Sequence, residues 1–188
     1  MKTQTKGFSL IEVLVALLLT TVGVLGMVAL QGRSVQYTQD SVQRNVAVDL
    51  ANELIEIIRA NPGEVFESTV PKEPMNTGIK TDSIFFKAAG ADFSDSANCV
   101  ATASEIAQTA KEQRDCWATR TKALLPGGSS VFKSDTRICR SSATADGCDG
   151  KGSVIEIRLA WQVRDGACLD EAADDDSPVC TYTVRVQP

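Results

Sequence analysis

The chain has no histidine, no cysteine before position 99 and no proline before position 62. Aromatic residues are scarce, at 5%. The missing histidine removes every Ser–His and Cys–His arrangement for nucleophilic catalysis. It also leaves no imidazole ligand, and no two cysteines stand in C-x2-C spacing, so a zinc site is not expected. A glycosidase would need two carboxylates flanking a cleft, and the acids here fall in loops with no obvious cleft. Basic residues are short as well. With 19 Lys and Arg against 24 Asp and Glu the net charge is −5, and no basic stripe offers itself to nucleic acid. Together these absences argue against an enzyme, a metal or cofactor, and a nucleic-acid partner.

A fourth shortage is local. Residues 8–30 (FSLIEVLVALLLTTVGVLGMVAL) carry one charge, Glu12. As a helix this run is long enough to cross a hydrocarbon core of about 30 Å. A carboxylate inside such a segment costs roughly 2.5–3.5 kcal/mol at the bilayer centre and less near an edge. Gln or Leu would anchor as well for less, so something is expected to use the charge. Lys2 and Lys6 precede the run and favour a cytoplasmic N-terminus with the C-terminal part sent across. The apolar core is longer than that of a secretory signal peptide and ends in no A-x-A site, so a retained helix is expected.

The string Lys6-Gly7-Phe8-Ser9-Leu10-Ile11-Glu12 resembles the processing site of type IV prepilins and of type II secretion pseudopilins. The resemblance implies cleavage between Gly7 and Phe8 by a prepilin peptidase and N-methylation of Phe8. It makes Glu12 the glutamate at the fifth position of the mature chain. Cleavage creates an α-amine with a pKa near 8. In a packed filament that amine can face the Glu12 carboxylate of a neighbouring subunit, and the pair would serve as a registry device.

Helical patterning continues past the membrane-length run to the stop signal Asn61-Pro62-Gly63. Val42, Val46, Leu50, Leu54 and Ile58 recur every four residues, with Ala47, Ala51 and Ile55 beside them, which predicts an apolar stripe on one face. Asp40, Gln43, Arg44, Asp49, Asn52, Glu53 and Glu56 are assigned to the other. One helix over roughly 10–60 is expected, with Gly23 and Gly26 weakening its middle or permitting close packing. The stripe needs a sheet to cover it.

Residues 62–188 supply that head. The passage 62–82 reads as loop, and Ile84-Phe85-Phe86 either starts a strand or tucks under the helix. Helix is expected within 102–111 and across 114–125, ending at Pro126-Gly127-Gly128. Residues 131–138 read as a strand. In 153–164 Ile155, Ile157, Leu159, Trp161 and Val163 alternate with Glu156, Arg158, Gln162 and Arg164, and 181–187 repeats the pattern. The two are expected to pair antiparallel. Trp117 and Trp161 read as core aromatics. Asp170, Glu171, Asp174, Asp175 and Asp176 crowd one segment, but the spacing of a calcium loop is missing, and a solvated face is expected.

All six cysteines, Cys99, Cys116, Cys139, Cys148, Cys168 and Cys180, follow the helix, which suits an exported, oxidised head. Fifteen pairings are possible. Sequential pairing, Cys99–Cys116, Cys139–Cys148 and Cys168–Cys180, is expected on geometry.

Arg114-Asp115-Cys116-Trp117 followed by Leu124-Leu125-Pro126-Gly127-Gly128 and a strand ending near Trp161 resembles the PilV-type minor pilins of type IVa pili. The expected architecture is α+β and type IV pilin-like, a long helix on a small antiparallel sheet with disulfides. It divides into a cleaved leader (1–7), a membrane or filament-core helix half (8–30), an amphipathic half (31–61) and an exported head (62–188). The resemblance implies an inner-membrane minor pilin, head in the periplasm, that primes pilus assembly and enters the fibre. Its partners would be other minor pilins, the major pilin, the prepilin peptidase and the inner-membrane assembly platform. A minor pseudopilin of a type II secretion system and an adhesive tip module are the rival readings.

Overall fold

The structure is a computed structural model that describes residues 9–68, 78–93, 99, 109–142, 147–163, 168 and 179–188. Helix α1 spans Leu10–Ala60, α2 is the single turn Pro62–Val65, α3 is Ala110–Leu124 and α4 is Gly128–Ser134. Strands β1 (Arg137–Ser141), β2 (Val154–Gln162) and β3 (Val179–Val186) form one antiparallel sheet in the order β1-β2-β3. The chain divides into two compact units, Met1–Gln39 and Asp40–Pro188, so α1 contributes to both. The fold is the α+β arrangement of a long helix and a small disulfide-bonded sheet.

Local chemistry sets the helix limits. The Ser9 carbonyl accepts from the Glu12 and Val13 N–H groups at the start of α1. At its end the Asn61 side chain donates to the Ile57 carbonyl, and to Gln113 Oε1 on α3. Pro62 then occupies the first turn of α2, where its missing N–H costs nothing. Helix α3 opens on a capping box, the Thr109 hydroxyl accepting from the Glu112 N–H and the Glu112 carboxylate from the Thr109 N–H. The part of the expected 102–111 helix before residue 109 lies outside the described residues.

Expectation and structure differ at residues 131–134. Val131 and Phe132 are buried on α4, and the strand begins only at Arg137. A short apolar run does not by itself distinguish a buried helix turn from a strand. Gly127 decides it. With φ at +92° it takes a left-handed conformation, and a Cβ there would meet Val131 Cγ2 at 2.2 Å. The chain therefore turns straight into α4, and the Ser130 hydroxyl donates to the Gly127 carbonyl. Ile84–Phe86 is a turn rather than a strand, closed by the Phe86 N–H on the Ser83 carbonyl, with Phe85 fully buried.

One core joins residues 47–58 of α1 to the sheet and to α3 and α4. Leu50, Leu54, Ile58, Phe85, Trp117, Phe132, Ile155, Ile157, Leu159 and Trp161 are all buried in it. Trp117 donates its indole N–H to the Leu50 carbonyl at 2.8 Å and meets Phe93 and Phe132 edge-on. The apolar stripe of α1 departs from the expected one at its N-terminal end. Val42 is 51% exposed, whereas Asp40, assigned to the polar face, is 2% exposed and accepts the Trp161 indole N–H at 3.0 Å. A strict four-residue step rotates about 40° at each repeat on a 3.6-residue helix. Carried back from Ile58 to Val42 the row has turned about 160°, while the line through Ala47 and Leu50 leads to Asp40.

Three disulfides join Cys99 to Cys116, Cys139 to Cys148 and Cys168 to Cys180, in sequential order. The second ties off the β1–β2 connection. There Asp149 Oδ1 accepts from the Ser142 and Lys151 N–H groups, and the hydrogen bonding from Ser142 and then Lys151 holds its carboxyl down at about 2.

Candidate functional site

Gly7 and Phe8 lie outside the described residues. Glu12 is in the first turn of α1 and exposed. From Leu10 to Leu30 the large apolar side chains stand out from the helix, Leu10 at 86% and Leu30 at 73% exposure. Among the described residues α1 is the one helix long and apolar enough to cross a membrane.

Glu12, Ala16 and Thr20 follow one another at four-residue spacing, and with Val13 and Leu17 they line a mostly apolar surface groove. The Thr20 hydroxyl is satisfied within the helix, on the Ala16 and Leu17 carbonyls at 2.9 Å, and Thr21 on Leu18 at 2.8 Å. Such back-bonding hides polar groups that would be costly in an apolar surrounding. Beyond the neighbouring backbone of the helix itself, no described atom lies within 4 Å of where a Cβ on Gly23 or Gly26 would stand, so packing among the described residues does not require these glycines. The segment carries one charged group among the described residues, Glu12, and an exposed apolar surface.

Several ionisable groups of the head are buried and held by specific partners among the described residues. Glu156, on the face of β2 opposite its apolar residues as its alternation predicts, is fully buried. Its Oε1 accepts from Arg137 Nε and Nη2 at 3.0 and 2.8 Å, and its Oε2 from Arg185 Nε and Nη2 at 2.9 and 2.8 Å. Glu156 sits on the central strand, opposite Cys139 on one side and Arg185 on the other, so long side chains from both edges close over it. Cys139, Cys148 and Glu156 gather within 4.8 Å, but the two sulfurs are bonded to each other and the carboxylate is taken by two guanidiniums. That donor set does not fit a metal. The acidic residues 170–176 lie outside the described residues.

On α3, Arg114 is fully buried. It donates to Asp115 Oδ1 and to the Ile84 carbonyl and lies 4.7 Å over the Phe93 ring. Lys87 is 2% exposed and donates to the carbonyls of Ala88, Lys133 and Thr136, the last at 2.7 Å. Burial pushes its amine down to about 8, with the Asp92 carboxylate opposing in part. Between about pH 8 and 10.5 the unfolded chain then holds more protons on this side chain than the folded one, so its contribution to stability rises with pH across that window. Paired melts of wild type and Lys87→Met check this. Their difference in melting temperature is expected to move in favour of wild type from pH 8 to pH 10, and a constant difference would contradict it.

Asp40, Lys87, Arg114 and Glu156 were not legible as buried groups from composition. Asp40 alone had a signal, its place seven residues before Ala47 on the core face of α1.

Two family models match the chain. One, described as type IV pilin Tt1218, covers residues 29–146, more than half of the chain. The other, the prokaryotic N-terminal methylation motif, covers residues 2–28. Searches of curated proteins and of solved structures returned no match.

Proposed function

The chain belongs to the Tt1218-like family of type IV pilins, and from that premise we propose that it is a minor pilin of the PilV type. Pilins are structural proteins without catalytic activity. The proposed protein is made with a leader, residues 1–7, that prepilin peptidase removes between Gly7 and Phe8, after which Phe8 is N-methylated. Residues 8–30 hold it in the inner membrane with the head in the periplasm. Residues 31–61 carry the amphipathic half of the helix, and 62–188 form the exported head. It then joins other minor pilins on the assembly platform, helps prime the pilus and enters the fibre beside the major pilin.

What carries the reading is the uncovered apolar surface of residues 10–30, broken by the single carboxylate of Glu12, under a matched methylation motif. Such a surface is at home in lipid and equally among like helices, where van der Waals packing and polar pairing replace lipid contacts. The carboxylate is useful only in the second setting, facing the amine of a neighbouring Phe8.

Intact-mass and N-terminal measurement of the protein purified from membranes is the direct test. The expected chain begins at Phe8 with one added methyl group. A chain that retains Met1, or begins later than Phe8, would refute the processing. Crosslinking through cysteines placed at the exposed positions Val42 and Glu56 tests the assembly. Pilus minor pilins are the expected partners, and capture of secretion pseudopilins instead would overturn the pilus reading.

A further inference from the structure

The face of the sheet opposite the core carries an excess of positive charge. Arg137 on β1, Glu156 and Arg158 on β2 and Arg185 on β3 share that face, because they alternate with Ile138, Ile155, Ile157 and Val184, which pack on the core. They are the charged side chains that the three strands place there. Three guanidiniums against one carboxylate leave two positive charges in excess.

Glu156 cannot serve all three. Its Oε1 is taken by Arg137 and its Oε2 by Arg185, and Arg158 is left over. Among the described residues no carboxylate pairs with Arg158. It stands directly opposite Arg137, so two like charges face each other across the central pair of strands. Its Nε is buried and has no hydrogen-bond acceptor among the described residues. Both features are destabilising, and Gln at the same position would avoid the repulsion. The guanidinium at 158 is therefore a cost within the folded head.

We propose that this face is a docking site for an acidic peptide segment of another protein chain, with Arg158 taking one of its carboxylates. The planar fork of an arginine matches a carboxylate in two parallel N–H···O bonds. Arg158 as a whole is half-buried with its Nε enclosed, so the Nη end of the fork is the part a partner reaches. Thr183, directly opposite on β3, is exposed and sets a hydroxyl beside it. Arg185, held on Glu156 but 34% exposed, extends the positive potential towards the β3 edge. A dense polyanion such as nucleic acid fits less well, because Glu156 lies in the middle of the patch and the chain carries a net charge of −5. A peptide with spaced carboxylates can set one on Arg158 and keep the others clear of Glu156.

The test uses the full chain in non-ionic detergent micelles and a short fluorescent peptide of alternating Glu and Ser, read by anisotropy. Wild type is expected to bind it, to ignore the Gln–Ser counterpart, and to lose affinity as salt is raised. Arg158→Gln is expected to weaken binding about 10- to 100-fold, the scale of a charge-assisted hydrogen bond. Arg158→Lys keeps the charge without the fork and should recover only part of the loss. Arg59→Gln removes an exposed charge on α1 and should change nothing. Arg158→Gln should also melt no lower than wild type, since it relieves the repulsion with Arg137. No binding by wild type, equal binding by Arg158→Gln, or tighter Arg158-dependent binding of a duplex DNA oligonucleotide would each overturn the proposal. So would a lower melting temperature for Arg158→Gln, because the guanidinium would then have its partner within the chain.

Discussion

Glu12→Leu is expected to leave the chain in the membrane and out of the fibre. The two effects have opposite signs and can be read separately. In lipid the substitution removes a carboxylate that costs roughly 2.5–3.5 kcal/mol at the bilayer centre, so the membrane-held chain should be at least as abundant as wild type. On the proposed reading it strands the neighbouring amine in the fibre. An uncompensated buried charge costs about 3–5 kcal/mol, roughly two to four orders of magnitude in the incorporation equilibrium. Glu12→Gln keeps the shape and loses the charge, and should fail almost as badly. Quantitative blotting of sheared fibres against membranes, with leader removal monitored by mass, makes the measurement. Fibres that incorporate both variants normally would remove Glu12 from any role in registry.

Glu156→Ala is expected to be the most damaging single change in the head outside the aromatic core. Glu156 is fully buried and answers two guanidiniums, while Arg137 and Arg185 remain 20% and 34% exposed. Breaking a buried pair by removing one partner costs about 3–5 kcal/mol. Water can reach the two arginines in part, so the lower end of that range applies. For a chain of this size about 3 kcal/mol lowers the melting temperature by roughly 6–12 °C. Adding Arg185→Gln should restore part of the loss, because the group left unpaired is then neutral, and the double-mutant cycle isolates that coupling. Melts of the non-reduced protein followed by circular dichroism are sufficient. A fall of less than about 2 °C for Glu156→Ala would mean that the cluster contributes no net stability.

What could be read from the sequence was whatever depends on periodicity and punctuation. The end of α1 followed from Asn61-Pro62, the end of α3 from Pro126-Gly127, and β2 and β3 from strict alternation, because each is decided within a few residues of itself. Glu156 followed its alternation too and lies on the face expected of it. Its burial depends on which strands flank β2, and that is a property of the sheet. Asp40 and Val42 exchanged roles because a four-residue row is a good guide over two turns and a poor one over five. Residues 131–134 were ambiguous because Val131 and Phe132 are apolar in either conformation, and the backbone at Gly127 made the choice. At the functional end of the chain the motif around Gly7 and Glu12 was plain in sequence. It depends on short-range spacing that a peptidase would read before any folding.

The order of the disulfides bears on how the head is made. The bridges close spans of 17, 9 and 12 residues, and no loop encloses or overlaps another. A chain that emerges amino end first therefore presents each cysteine's partner before a competing pair has appeared. When the second cysteine of each loop emerges, an oxidase that has kept pace meets one unpaired cysteine, its own partner, so correct bridges can form in the order of synthesis. A nested pattern would hold the first cysteine open while wrong partners went by, and would call for reshuffling. Sequential bridges of this kind let oxidation of the head keep pace with its delivery.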